Sequence, residues 1–367
     1  MEKNENTKEG FFAGVKAFFQ RDLVSYIIKR ILMIFPSLLL ISIIVFFVIQ
    51  LPPGDAVTNQ IAKLQNQGEE FRQEDIQKMR EDYGVDKPFI VQYWSWISGI
   101  IWTPTDSTPY RLYGTHHYWK FSFSQSTSVW AAVKPLLPLT VGLSGAVMIF
   151  QYLFSFPIAV YSATHQYSVG DYIISFIGFI GAAVPGFILA ILCMLLAYKW
   201  TGNAMVGLFT EDMMANGITW NNLGEFLKRL IIPFIVLGLA GTCGTIRQVR
   251  AQMLDEITQQ YTLTARAKGV KESVITWKYC FRAALNPTIT GLGTALSQLF
   301  SGSTVTAMVL NINILGPLLY KSLLDQDMYL AGAIVMVQAF LVEVGILLAD
   351  IALAFLDPRI RYSGGNR

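Results

Sequence analysis

Six apolar segments divide the chain, at 31–51, 136–161, 172–198, 230–246, 288–310 and 331–356. Each is close to or beyond the roughly 20 residues a helix needs to cross a bilayer core, so the pattern predicts six membrane-spanning helices. Leu51-Pro52-Pro53-Gly54-Asp55 ends the first one abruptly. Pro157 and Pro185 predict interruptions in the second and third. The Pro185-Gly186 pair leaves backbone carbonyls free, which a membrane helix tolerates only against protein or a water-filled cavity. Small residues recur in the third segment (Gly178, Gly181, Ala182, Ala183) and in the fourth (Gly238, Gly241, Gly244), and they let helices approach closely. Ahead of the first segment, Phe11, Phe12, Val15, Phe18, Phe19, Leu23 and Tyr26 recur at helical spacing, with Lys16, Arg21 and Asp22 largely between them. That reads as an amphipathic helix, seated either on the inner membrane surface or against the protein's own spans.

Two polar stretches break the apolar pattern. Residues 52–134 form a long loop between the first two spans, with a charged helix expected over 69–88 that ends near Gly84. Tyr93, Trp94, Trp96, Trp102, Tyr110, Tyr113, Tyr118, Trp119 and Trp130 then crowd together. Aromatic rings with a polar tip favour the membrane–water boundary, so an aromatic belt is expected; a docking surface for an external partner or solute is the sharper reading. The second stretch is YTLTARAKGVKESVITWKYCFRAALNP, over 261–287. It predicts a helix–turn–helix pivoting on Gly269, which can take a positive φ without strain. The expected layout is an N-terminal segment 1–30, a first span 31–51, an external loop 52–134, a helical core 135–356 containing the loop 251–286, and a tail 357–367.

Composition agrees with this picture. The chain is 53% hydrophobic and 14% charged, against about 25% charged in soluble domains. Lysines and arginines concentrate in residues 1–30, in 247–282 and in the tail, which predicts that both termini are cytoplasmic. The net charge of +3 gives no case for nucleic acid. Cys193, Cys243 and Cys280 read as buried thiols. The three histidines, His116, His117 and His165, form no metal pattern, and no GxxxxGK[ST] loop is present. If ATP drives this protein, another polypeptide binds it. The costly side chains within the spans are Gln151, Gln298, Gln338, Glu343 and Asp350. An acidic group at mid-membrane costs about 2.5–3.5 kcal/mol on insertion scales, so these groups avoid lipid. Glu343 and Asp350 share a helix face. The structural reading is favoured for Asp350, while Glu343 is open between a solute path and a helix tie.

The chain resembles the permease subunits of bacterial ABC importers in the dipeptide/oligopeptide/nickel family, and most of all the longer of their two permease types. The resemblance runs over nearly the whole length. It is carried by YIIKRILMIFPSLLLISIIVFFVIQLPPGD, by Tyr83-Gly84-Val85-Asp86-Lys87-Pro88, by Val184-Pro185-Gly186-Phe187, and by Asp350 with Asp357-Pro358-Arg359-Ile360-Arg361. Its strongest block is Tyr261, Thr264, Ala265, Arg266, Ala267, Lys268 and Gly269, followed by Arg282 and Pro287. Leu263 and Asn286 depart from the pattern inside that block, and Ala307 and Ile312-Asn313-Ile314 outside it.

The resemblance implies an all-α polytopic membrane protein with the type I ABC importer permease fold, in a bacterial inner membrane. The 261–287 block would be a coupling helix seated in a cytosolic ATPase. Gln151, Gln298, Gln338 and Glu343 are candidates for the translocation path, and Pro185, Asp350, Asp357, Pro358 and Arg359 for structural roles. The implied partners are a second permease, two ATP-binding subunits holding ATP and magnesium, and an external solute-binding protein; this chain would bind no cofactor and catalyse no reaction. Peptide is the leading substrate, with oligosaccharide or nickel chelate next. From another class, an ion-coupled transporter would have Glu343 as its carrier. A membrane-embedded hydrolase would lack an assembled acid, base or metal set.

Overall fold

The computed structural model describes residues 22–51, short stretches between 57 and 80, and residues 86–101, 122, 124–125, 127–203 and 205–356. These residues form helices, with one isolated bridge between Ser122 and Thr127. In chain order the helices are α1 (Asp22–Ile49), α2 (Phe89–Ile101), α3 (Val129–Val133), α4 (Leu137–Thr164), α5 (Val169–Ala183), α6 (Gly186–Thr201), α7 (Glu211–Asn216) and α8 (Leu223–Ile257). Then come α9 (Gln260–Ala267), α10 (Glu272–Val274), a π-helical turn (Ile275–Cys280), α11 (Phe281–Ala284), α12 (Asn286–Thr290), α13 (Leu292–Gly302), α14 (Thr304–Val309), α15 (Leu315–Leu324) and α16 (Met328–Leu356).

Among the described residues, α1, α4, α8 and α16 are each long and apolar enough to cross a membrane. The pair α5–α6 makes a fifth candidate if it counts as one span, bent by 105°. The bend falls where the sequence places it. Val184, ahead of a proline, is pushed out of the helical region to ψ 122°, and α6 restarts at Gly186. Pro157 behaves differently from expectation: it lies inside an unbroken α4. One lost hydrogen bond is tolerated there because α4 packs along α8 more extensively than any other pair of helices.

The fifth apolar segment, 288–310, is not one helix. It runs as α12, α13 and α14, with breaks at Gly291 and Ser303. Side-chain hydroxyls compete for backbone carbonyls at both breaks. The Thr294 hydroxyl donates to the Gly291 carbonyl at 2.7 Å, and the Ser303 hydroxyl donates to that of Leu299. The first helix begins at Asp22, before the apolar run. The amphipathic pattern over 11–21, and Trp102, Tyr110, Tyr113, Tyr118, Trp119, Gly84, Asp357, Pro358 and Arg359, lie outside the described residues.

Three apolar clusters follow one another along α4. At its start, Phe46, Trp96, Val129, Val133, Leu330 and Ile334 pack together. Leu143 and Val147 join α6, α8 and α14 further along. Near the end of α4, Ala159, Val160 and Ala163 meet Val249, Met253, Ala265, Ile275 and Cys280. Outside this core, Leu32, Phe35, Leu39, Leu40, Ile43 and Phe47 of α1 are exposed. A contiguous apolar face of that kind on a spanning helix is a surface for lipid or for another chain. Trp96 corrects the reading of the aromatic loop as a surface belt: its indole is buried against α1 and α16, while Trp94 and Trp130 are exposed.

Candidate functional site

The polar hairpin is built as a compact unit. α9 ends in a Schellman turn, in which the Gly269 N–H donates to Arg266 O at 3.0 Å and the Val270 N–H to Ala265 O at 3.1 Å. Gly269 holds φ 76°, a conformation that side chains with a Cβ rarely adopt. The chain returns through α10, the π-helical turn and α11. Inside the hairpin, Ala265, Ile275, Cys280 and Ala284 pack onto Val249 and Met253 of α8. The Thr262 hydroxyl donates to Glu256 O at 2.9 Å, which ties α9 to the end of α8.

Of the residues singled out from the sequence, Tyr261, Thr264, Arg266, Ala267, Lys268, Gly269 and Arg282 are exposed, Ala265 is buried and Pro287 is half-buried at the start of α12. Arg266 already has a partner within this chain. It forms a two-pronged pair with Glu272 of its own hairpin, at 2.6 and 3.1 Å. That guanidinium holds the Glu272 carboxyl below its usual range. Tyr261 donates its hydroxyl to Glu256; partial burial, then that carboxylate, push the phenol well above its ordinary value. Sequence reasoning gave no role to the exposed apolar residues Leu263, Val274, Trp277 and Tyr279, of which it noted Leu263 only as a departure from the family pattern. Nothing in the sequence separates these four from Ile275, Cys280 and Phe281 of the same segment, which turn inward onto the core. Beside the hairpin lies an open groove of about 920 Å³, bordered by His165, Gln166, Asp255, Arg266, Glu272 and Trp277.

The intramembrane polar residues fall on separate helix seams. Gln151 is buried between α4 and α8 and donates to the Thr245 hydroxyl at 2.8 Å. It fits because Gly241 faces it: a Cβ there would stand 2.3 Å from the amide oxygen. Glu343 accepts from the Ser37 hydroxyl at 2.7 Å, joining α16 to α1. Asp350 pairs with Arg30 at 2.5 Å along the same seam. Gln338 is half-buried, and Gln298 is exposed on α13.

Two acidic residues escaped the sequence reading. Asp327 is fully buried at the head of α16, where it accepts from the Ser122 hydroxyl at 2.7 Å and from the Ser124 and Leu330 N–H groups, each at 3.1 Å. Asp171 is buried at the start of α5 and receives a two-pronged contact from Arg250 of α8. Local spacing announces only their capping roles, Ser168 with Asp171 at the start of α5 and Asp327 with the Leu330 N–H at the start of α16. Their burial depends on Arg250 and Ser122, which are far away along the chain.

Comparison with known proteins gives a consistent result. Residues 155–362 match the model of the binding-protein-dependent transport system inner membrane component, and residues 23–144 match that of its N-terminal region. The chain is 33% identical to the oligopeptide transport system permease protein AppB of Bacillus subtilis, over 93% of this chain and all of the relative. It is 26% identical to the inner membrane ABC transporter permease protein YejB of Escherichia coli, over 93% of this chain and 99% of the relative. It is also 26% identical to the peptidoglycan transport system permease protein YejB of Agrobacterium fabrum, over 92% and 98% respectively.

Proposed function

The chain belongs to the family of inner-membrane components of binding-protein-dependent transport systems, and from that premise we propose that it forms half of the translocation path of an ATP-driven peptide importer. In this reading its hairpin seats in a cytosolic ATP-binding subunit, with Tyr261, Thr264, Ala265, Arg266, Ala267, Lys268, Gly269, Arg282 and Pro287 forming or supporting the seat. The observation that carries the reading is the hairpin itself. It packs tightly onto α4 and α8 on one side and presents Tyr261, Leu263, Trp277 and Tyr279 outward on the other. Apolar and aromatic side chains ringed by charge are the make-up of a protein–protein seat. The packing of Ala265, Ile275, Cys280 and Ala284 onto α8 holds the hairpin together, so a push on its outer face moves the unit as a body.

Peptide is the substrate class that the relatives' names favour. A substrate carrying sugar is the second reading, because one relative is named for transport of peptidoglycan, a polymer of sugar and peptide. Of the four intramembrane candidates, Gln298 is the one whose exposure suits a path between two permeases; Gln151 and Glu343 hold helices together. In this reading both termini face the cytoplasm, and a second permease, two ATP-binding subunits and an external solute-binding protein would complete the assembly. ATP and magnesium belong to the ATP-binding subunits.

Co-purification of the tagged chain in mild detergent tests the assembly. A complex holding a second permease and two ATP-binding subunits is expected; a lone chain or a homodimer overturns the reading. Gly269→Pro tests the seat. It should abolish uptake of a labelled peptide while the second permease is still recovered, and unchanged uptake would remove the hairpin from the mechanism.

A further inference from the structure

Where α4 turns into α5, a buried carboxylate meets a half-buried guanidinium between three helices. Asp171 and Ser162 are almost wholly inaccessible. Arg250 donates through Nε to Asp171 Oδ1 and through Nη2 to Oδ2, both at 2.8 Å, and through Nε again to the Ser162 hydroxyl at 3.1 Å. Ser162 in turn donates to Asp171 Oδ1. The Tyr167 N–H reaches Oδ2 at 3.0 Å, which holds the turn where Tyr167 takes φ 63°. The carboxylate thus collects donors from α4, from the turn and from α8. One turn closer to the middle of α8, Arg247 lies 5.6 Å from the ring centroid of Phe179 on α5.

Stability is a weak reason for such a cluster. Buried ion pairs can be replaced by well-packed apolar groups at no loss, and often with a gain. A two-pronged guanidinium–carboxylate contact does something apolar packing cannot, because it fixes register and orientation and forbids sliding. Its position gives that property a use. Arg250 lies two turns before the end of α8, and the hairpin is tied to that end through Thr262 and the apolar cluster around Met253. Asp171 opens α5, a short helix that ends at the 105° bend. Past the bend, Gly186 lies against α14, with room of only 3.0 Å between a Cβ there and the Thr306 hydroxyl.

We propose that Ser162, Asp171 and Arg250 form the joint that delivers movement of the hairpin to α5, so that α5 turns as an arm about the Val184–Pro185 bend and shifts α6 against α14. Asp171 and Arg250 are then positioning residues for transport. This rests on the reading of the hairpin as the ATPase seat. A two-state arm fixed at one end and hinged at the other is the kind of element through which a local push becomes a rearrangement.

The test uses the co-purified complex in lipid nanodiscs, with spin-label pairs read by pulsed dipolar spectroscopy. One pair spans the joint, Val169 to Lys278, and the other spans the bend, Tyr172 to Trp200; all four positions are exposed. The nucleotide-free complex is compared with the complex trapped by ATP and vanadate. The unmodified joint should keep one narrow distance in both states while the bend pair shifts. In Asp171→Asn the joint distance should broaden at least twofold on trapping and the bend shift should vanish, with ATP hydrolysis retained. Ser162→Ala should do the same to a smaller degree, and it decides the matter if Asp171→Asn does not assemble. A joint distance that changes in the unmodified complex, or that stays narrow in the variants, overturns the proposal. A complex that binds no ATP-binding subunit, and so cannot be trapped, overturns the reading of the hairpin instead.

Discussion

The two ends of the helical core are held by different means. At the hairpin end, α4, α5 and α8 meet through charge, with the Asp171 carboxylate gripped by Arg250 and shielded by Ser162. At the opposite end, α1, α2, α3 and α16 meet chiefly through ring and aliphatic packing, with the buried Asp327 carboxylate as a local tie at the head of α16. Trp96 is wedged against Phe46 and into the space left by Gly332, whose Cβ would stand 2.8 Å from the indole. Ring packing resists changes of volume, whereas a forked ion pair fixes orientation through directed hydrogen bonds. The end expected to receive a mechanical input therefore has the more directional joint. At the end expected to meet solute, the buried carboxylate, Asp327, is met by hydroxyl and N–H donors alone among the described residues.

The most damaging way to break that contrast is to remove one partner of the charge joint. Arg250→Met strands a buried carboxylate and should cost about 3–5 kcal/mol, seen as a large drop in the thermal unfolding temperature of the purified chain in detergent. At the ring-packed end, Gly332→Ala should cost about 1–3 kcal/mol by overpacking. It should lower the same temperature by less and change the fluorescence of the buried indole. The hairpin turn is more tolerant still. Nothing stands within 4 Å of a Cβ built on Gly269, so Gly269→Ala pays only for its backbone conformation, about 1–2 kcal/mol. Gly269→Asn should recover part of that, and hydrogen exchange at Val270 reports both.

The smallest effect belongs to the exposed counterpart of the charge joint. Arg266 and Glu272 form the same two-pronged contact in open solvent, where a pair adds little. Glu272→Gln should leave the unfolding temperature nearly unchanged at neutral pH. Arg266 depresses the Glu272 pKa from its ordinary 4.5. Whatever the pair contributes is complete above that value and lost only as pH falls through the lowered one. Any offset between parent and variant unfolding temperatures should therefore be small and constant from pH 8 down to about pH 5. A large separation near neutrality would mean that the hairpin needs this pair far more than its exposure suggests.

Much of this was legible in the sequence, and the exceptions share a cause. Apolar runs locate the spans, a proline after Val184 marks the bend, and a glycine amid a polar run marks the hairpin turn. All three are local signals that act within a few residues. The fragmentation of the fifth span was harder to read, because hydroxyls such as those of Thr294 and Ser303 sit in helices as often as they disturb them. Asp171 with Arg250, Asp327 with Ser122, and the inward direction of Trp96 could not be read at all. Each depends on a partner brought from another part of the chain, which spacing does not reveal.

The seam between α1 and α16 carries a consequence for how the protein is made. Ser37 and Glu343 are 306 residues apart, and Arg30 finds Asp350 on the same late helix. At about 5–20 residues per second, a ribosome needs roughly 15–60 s to cover that distance. Throughout that interval the first span must sit in the bilayer with an arginine that has not yet met its carboxylate. Its richly apolar outer face keeps it there, and the last span to emerge closes the bundle. Errors late in synthesis should thus leave behind a chain whose first helix is inserted but undocked, a form that membrane proteases could recognise by its unclaimed basic residue.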